Sequence, residues 1–417
     1  MARSFRYNSD GSACEPVRWK GRRATKLSND LVELIVLTGG GHLAEFRFAE
    51  NSGTSSQNVL WEAPWETADP ASSRYEQLCR AYGSSEASKF LAAYTGHALC
   101  LDYFGLPSGE KAAKGLPLHG ETAVENWNVI SSVDMSGAEC QWTVELPVAQ
   151  LNFQRTIRLG SRESVAYIEE SVRNQRSVDY AHHWVQHATF GPPFLNPDES
   201  TVAVSGQRGI TSPLGYEGCA LLASSREFLW PYAPRETFDG FADLTQPFSA
   251  RGRGFLAAVQ LDRQRGVQYV LAINWRLRLG MGYCFLRTNF PWMTVWEENF
   301  VRQNQPWDGV AQVRGMEFGT TPLPAGSDES VCRGSLWDTS CWCVAPALGE
   351  RTARYLAFLF TIPAGVDSVQ DVAPKGDAIV FHSKDLRSSF FSIPAHGCEE
   401  FLWGNKRNGS GSVIVTR

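Results

Sequence analysis

No stretch of this 417-residue chain is an unbroken apolar run of the roughly 20 residues that a membrane-spanning helix requires. Its opening, MARSFRYNSDGSACEP, has no apolar segment of the kind that leader peptides carry. An excess of one charge is missing too: 39 Lys+Arg stand against 44 Asp+Glu, a formal net charge of −5, with no block of like charges. Phosphate backbones are held by concentrated basic surfaces, so nucleic acid is not an expected partner. The stretch TGGGH (38–42) is not G-x-G-x-x-G and opens no helix, and no G-x-S-x-G elbow occurs. Hydride transfer on a dinucleotide and acyl transfer are disfavoured accordingly. No internal repeat or low-complexity tract stands out. These absences lead to the expectation of a soluble, cytoplasmic protein that does not engage membranes.

What is present is a large apolar and aromatic stock, 43% and 12% of residues, ample for a sizeable core. The ten cysteines are scattered, mostly within apolar runs, and read as buried thiols in a reducing compartment. CWC (341–343) is their only close pair and has no evident metal or redox partners.

Strand signals dominate. LVELIVL (31–37), LAEFRF (43–48), CQWTVELPV (140–148), LNFQRTIRL (151–159) and SVAYIEESV (164–172) alternate or run apolar with β-branched and aromatic residues. The pattern resumes in FLAAVQL (255–261), QYVLAINW (268–275), WMTVWEE (292–298), YLAFLFTI (355–362), AIVFH (378–382) and SVIVT (412–416). Gly, Asn, Ser and Pro punctuate the short gaps, as antiparallel meanders require. GNKRNGSGS (404–412) reads as a turn. Only residues 72–94 carry helical spacing, and parallel βαβ units need a helix after most strands. The expectation is one domain over 1–417: a large, mainly β, antiparallel sandwich with few helices and loop insertions near 62–118, 225–252 and 323–352.

Three of the chain's eight histidines fall in HHWVQHATFG (182–191). On a helix, His183 and His187 are neighbours able to share a zinc ion, yet Trp184 stands where the zinc-protease motif has Glu. On a strand, four residues span roughly 13 Å, too far for two ligands of one metal. The strand reading is preferred, and no metal is expected. Parity then places His183, Val185 and His187 on one face and His182, Trp184 and Gln186 on the other. One face carries chemistry and the other packs. His187 ends the strand before a loop, and His119 occupies a similar Gly-bounded position in GLPLHGE (115–121).

These elements resemble the aldose 1-epimerase (galactose mutarotase-like) family. SVRNQRS (171–177) followed by QHATFG (186–191) resembles its strand, Asn turn and His-x-x-Phe element. LPLHGE (116–121) resembles its earlier His-Gly element, and RGMEFGTTPLPAG (314–326) its late glutamate strand. NDLVELIVLTGGGHLAEFRF (29–48) resembles its opening strand pair. The ordered set spans roughly 29–326. Two departures stand out: GPP follows the His-x-x-Phe element in place of Asn-Leu, and Phe318 follows the glutamate in place of Pro-Gln. The family's hydroxyl-binding acid and its arginine have no matching motif here. The resemblance implies a β-sandwich with a sugar cleft on one concave sheet, a small-molecule sugar partner, and no cofactor.

Anomer interconversion needs a base for the anomeric hydroxyl and an acid for the ring oxygen, which are expected on opposite sides of the sugar. The resemblance implies Glu317 as base and His187 as acid, with His119 assisting. Burial beside Met316 and Phe318 raises a carboxylate pKa, and imidazole carries protons near neutrality. The plainer alternative for Glu317 is a sheet carboxylate paired with Arg314. His183 is expected to line the pocket. In WMTVWEENF (292–300), Trp296 and Glu298 share a face and form a candidate binding wall, with Glu298 the reserve base. Two other functions compete: carbohydrate binding without turnover, and glycoside hydrolysis by Glu317 with Glu298.

Overall fold

A computed structural model describes residues 12–134, 137–237, 240–382 and 390–404. The expected strand at 412–416 and the turn at 404–412, apart from Gly404, lie outside the described residues.

Every strand ladder is antiparallel, and two large sheets face one another. The first has 14 strands, and at its centre the order is Leu43–Phe48, His97–Asp102, Tyr180–Phe190, Gln312–Gly319, Trp292–Asn299 and Phe255–Leu261. The second has eight strands, among them Gly137–Leu146, Leu151–Gly160, Val165–Asn174, Val267–Asn274, Leu279–Leu286 and Glu350–Thr361. Each strand sends alternate side chains to opposite faces. The inner faces therefore supply one shared core, with Leu34, Phe46, Leu99, Trp184 and Phe318 meeting Trp142, Phe153, Tyr283 and Tyr355.

The outer faces are also covered. A three-stranded sheet (Asp371–Lys375, Ala378–His382, Phe390–Pro394) and the helix Cys398–Trp403 bury Phe381 and Leu402 against Tyr167, Leu271, Phe358 and Phe360 of the second sheet. On the first sheet's outer face, the segment around Phe90–Tyr94 packs with Trp61, Trp296, Trp307 and Val313.

The single helical stretch expected at 72–94 is two helices, Ser73–Ala81 and Glu86–Leu91. Ser72 and Ser85 each cap a new N-terminus through a side-chain oxygen. Between them Gly83 and Ser84 take positive φ, which a continuous helix excludes. Three further short α-helices occur among the described residues, Gly109–Ala113, Ser327–Arg333 and Cys398–Trp403. The segment 62–118 is more than a surface insertion, because His97–Asp102 is a central strand of the large sheet. The reading of all ten cysteines as thiols is corrected at one pair: Cys14 and Cys140 form a disulfide between the two sheets. The other eight are free.

A polar knot lies inside the sandwich. Arg155 and Glu170, both fully buried, pair at 2.7 Å. Glu170 also accepts from Trp184 Nε1 at 3.0 Å, Gln186 Nε2 at 2.6 Å and Tyr355 at 2.9 Å. Trp184 and Gln186 are the inward face of the histidine-rich strand, so this network fixes which face points outward. Removing one partner of a buried pair strands the other's charge. Glu170→Ala is expected to cost about 3–5 kcal/mol in chemical denaturation, whereas an apolar replacement of both Arg155 and Glu170 recovers most of it. A loss below about 1 kcal/mol for the single variant contradicts this role.

Candidate active site

The strand Gln312–Gly319 runs between Tyr180–Phe190 and Trp292–Asn299, and its register fixes the site. His187 stands directly opposite Glu317, and Glu317 opposite Thr294. Directly opposed residues share a face, so imidazole and carboxyl emerge side by side on the outer face, with Nε2 and Oε1 3.5 Å apart. The strand parity expected from sequence holds, since Trp184 and Gln186 face the inner core. Gly315, opposite Trp296, makes room for this arrangement. A Cβ there lies 2.4 Å from Glu317 Oε1 and 3.0 Å from the Trp296 ring.

Above the pair is a cavity of about 290 Å³. Its walls are mostly rings and aliphatic chains, including Phe90, Tyr94, Phe104, Tyr216, Trp296 and Trp307, while His119, His187 and Glu317 supply polar groups and Arg302 a cation. His119 reaches it from a turn at positive φ, and Gly120 follows at φ +96° with Leu101 O only 2.1 Å from where a Cβ would sit. The glycine of the His-Gly element is thus imposed by backbone contact. His119 Nδ1 accepts from Gly105 N at 3.0 Å, which leaves Nε2 as its N–H. Its ring lies 5.2 Å from that of His187 and stacks on Phe104.

The other expected site residues sit differently. His183 is buried and does not line the cavity; its Nδ1 accepts from Phe104 N at 3.0 Å, holding a wall residue in place. Trp296 lines the cavity, with Nε1 donating to Tyr216 at 2.7 Å. Glu298 is buried behind it and accepts from Tyr216 at 2.9 Å and from the backbone N–H groups of Val301 and Arg302. It supports the wall and does not line it. Glu298 lies four residues from Thr294, the partner of Glu317, or roughly 14 Å of strand, beyond the carboxylate spacing of glycoside hydrolases. Arg314 does not pair with Glu317 but with Glu297 on the opposite face.

Sequence reasoning missed Tyr94, Thr189, Tyr216, Trp307 and Arg302. Thr189 shares the parity of His187 and was within reach of that argument; Tyr94 closes the stretch read as helical. Together they orient the imidazole. Thr189 Oγ1 donates to Gly96 O, and Tyr94 donates to Thr189 Oγ1 at 2.7 Å. A carbonyl only accepts, so the direction of the chain is set at that end. The Tyr94 oxygen then accepts from His187 Nδ1 at 3.1 Å. This leaves a lone pair on His187 Nε2, the atom nearest Glu317.

Burial acts on the two groups of the pair in opposite directions. Burial, with no cation in contact among the described residues, holds the Glu317 carboxyl well above the usual carboxylate range. Burial likewise brings His187 down to about 4. His119 is lowered by burial and by nearby His187. Burial thus favours the protonated form of the Glu317 carboxyl and the neutral form of the His187 ring.

No family model matches the chain, and no curated protein matches it in sequence. Solved structures do. A Klebsiella pneumoniae protein provisionally named aldose 1-epimerase superposes with TM-score 0.61 at 14% identity, covering 85% of each chain. A galactose mutarotase-like protein from Clostridium acetobutylicum gives 0.55 at 12%, covering 85% of this chain and all of its own. A galactose mutarotase-related enzyme from Lactobacillus acidophilus gives 0.51 at 12%, covering 82% and 99%. The chain has the galactose mutarotase-like fold. At these identities the likeness is one of architecture. Among the described residues no helix is long and apolar enough to cross a membrane.

A carboxyl with a raised native pKa binds its proton more tightly folded than unfolded, so it costs stability as pH rises above about 4.5. Glu317→Gln removes that cost. Its melting temperature relative to the native chain is expected to climb between about pH 5 and pH 8; parallel melting curves across that range contradict a protonated Glu317.

Proposed function

We propose that this cavity interconverts the anomers of a cyclic hemiacetal of the aldose class by general acid–base ring opening, an aldose 1-epimerase-type isomerisation needing no cofactor. The observation that carries the reading is the His187–Glu317 pair, set 3.5 Å apart by strand register at the floor of a ligand-sized cavity. The fold shared with the proteins named above supports it by analogy.

The anomeric hydroxyl oxygen and the ring oxygen are both bonded to C1. Two groups on adjacent strands therefore reach both from one side, and they need not flank the sugar as expected from sequence. In the assigned protonation state, His187 Nε2 takes the anomeric hydroxyl proton while Glu317 protonates the ring oxygen. The C1–O5 bond breaks, giving the open aldehyde. After rotation about C1–C2, the chain hydroxyl attacks the other face of the carbonyl. It returns its proton to Glu317, and His187 gives its own to the new anomeric oxygen. His119 Nε2–H supplies a hydrogen bond to a substrate oxygen. Glycoside hydrolysis finds no support, because Glu298 is committed to Tyr216 and to backbone donors.

Exchange NMR or polarimetry on a panel of aldoses and lactols tests this. Glu317→Gln and His187→Asn are each expected to lower the exchange rate by about 10²–10⁴. Tyr94→Phe keeps the ring but removes the acceptor of Nδ1–H, giving a smaller loss with a displaced pH profile. If Glu317→Gln and His187→Asn both exchange at the native rate, the assignment of the pair is wrong. Saturable binding without exchange selects the non-catalytic alternative.

A further inference from the structure

The cavity offers little to a fully hydroxylated sugar. Each ring hydroxyl taken from water needs a partner, or its burial is unfavourable. Among the described lining residues Glu317 is the sole carboxyl, and no Asn, Gln or Lys is present. Much of the remaining polarity is already engaged. The Tyr94 hydroxyl donates to Thr189 and accepts from His187. Tyr216 donates to Glu298 and accepts from Trp296, whose only N–H is used in doing so. Ser212 Oγ accepts from Leu214 N. The Arg302 guanidinium stands over the rings of Tyr216, Trp296 and Trp307 at 4.9–5.7 Å.

Apolar character also continues outward. Leu106 and Leu214 line the cavity while 60% and 77% exposed. Solvent-facing leucines grouped at the mouth of an aromatic cavity mark a binding surface more than a packing requirement.

We infer that, within the hemiacetals of the proposed reaction, the ligand carries few hydroxyls and an apolar alkyl or aryl substituent, its polarity concentrated at the anomeric centre. The anomeric oxygens sit at His119, His187 and Glu317, the ring lies against Trp296 and Phe104, and the substituent runs out between Leu106 and Leu214. This inference rests on the acid–base reading for its chemistry but not for its account of binding.

The experiment separates the two. Exchange NMR follows galactose, a dideoxyhexose, 2-hydroxytetrahydropyran and a phenyl-substituted 2-hydroxytetrahydropyran. In parallel, calorimetry compares binding of phenyl-substituted tetrahydropyran, which has no anomeric hydroxyl, with methyl galactoside. Burying a side-chain-sized apolar group is worth roughly ten- to a hundredfold. The phenyl-substituted lactol is expected to exceed galactose by that factor in kcat/KM, with the same order in the binding arm. Leu214→Asp, at an exposed position outside the acid–base pair, is expected to reduce that ratio. Equal or better turnover and binding of the galactose compounds overturns the inference. Apolar-selective binding without exchange of any lactol upholds the ligand class and defeats the acid–base reading; exchange that is fastest with galactose does the reverse.

Discussion

Everything distinctive about the site follows from one register: His187 directly opposite Glu317 in an antiparallel ladder. A slip of one residue turns every side chain on a strand to the other face. Such a slip buries His187 in the sandwich and brings Trp184 and Gln186 out. The register is held from beneath by the Arg155–Glu170 knot, which takes hydrogen bonds from both of those residues. A buried ion pair is weak evidence for stability. Here its contribution is orientation, since an apolar core fills either face of a strand but this network fits only one.

The same burial that forms the cavity sets its acid–base character. Among the described residues Glu317 has no cation in contact, and Arg314, three residues away, points to the opposite face and is used by Glu297. Desolvation favours the neutral form of both an acid and an imidazole. It therefore pushes the two pKa values in opposite directions, favouring a protonated carboxyl beside a neutral ring. Such a pair, side by side, suits the reversible ring opening proposed above. The hydroxyl chain from Gly96 through Thr189 and Tyr94 leaves His187 Nε2 facing Glu317.

The strands were legible because a half-buried strand writes its period of two into the sequence. FLAAVQL and AIVFH have the bounds the pattern suggests. Parity alone sorted the histidine strand, and ordered motifs brought Glu317, His187 and His119 together. Where no local signal exists, the reading failed. HALCLD is buried on both faces and shows no alternation, so a central strand passed for part of an insertion. The Cys14–Cys140 pair joins residues 126 apart in sequence, which spacing cannot reveal. Glu298 looked available because its side-chain partner Tyr216 arrives from elsewhere in the chain, and the turn at 301–302 that folds back onto it carries no strand period. The cavity walls come from several separate loops, and a ligand's polarity is a property of their sum.

The central claim is that His187 rests neutral, with the proton on Nδ1 and a bare Nε2 facing Glu317. Nitrogen-15 NMR of histidine-labelled protein at neutral pH, assigned by loss of the signal in His187→Asn, reads this directly. The account predicts a protonated Nδ1 and an unprotonated Nε2 at His187. A proton on Nε2, as the other tautomer or as imidazolium, contradicts it.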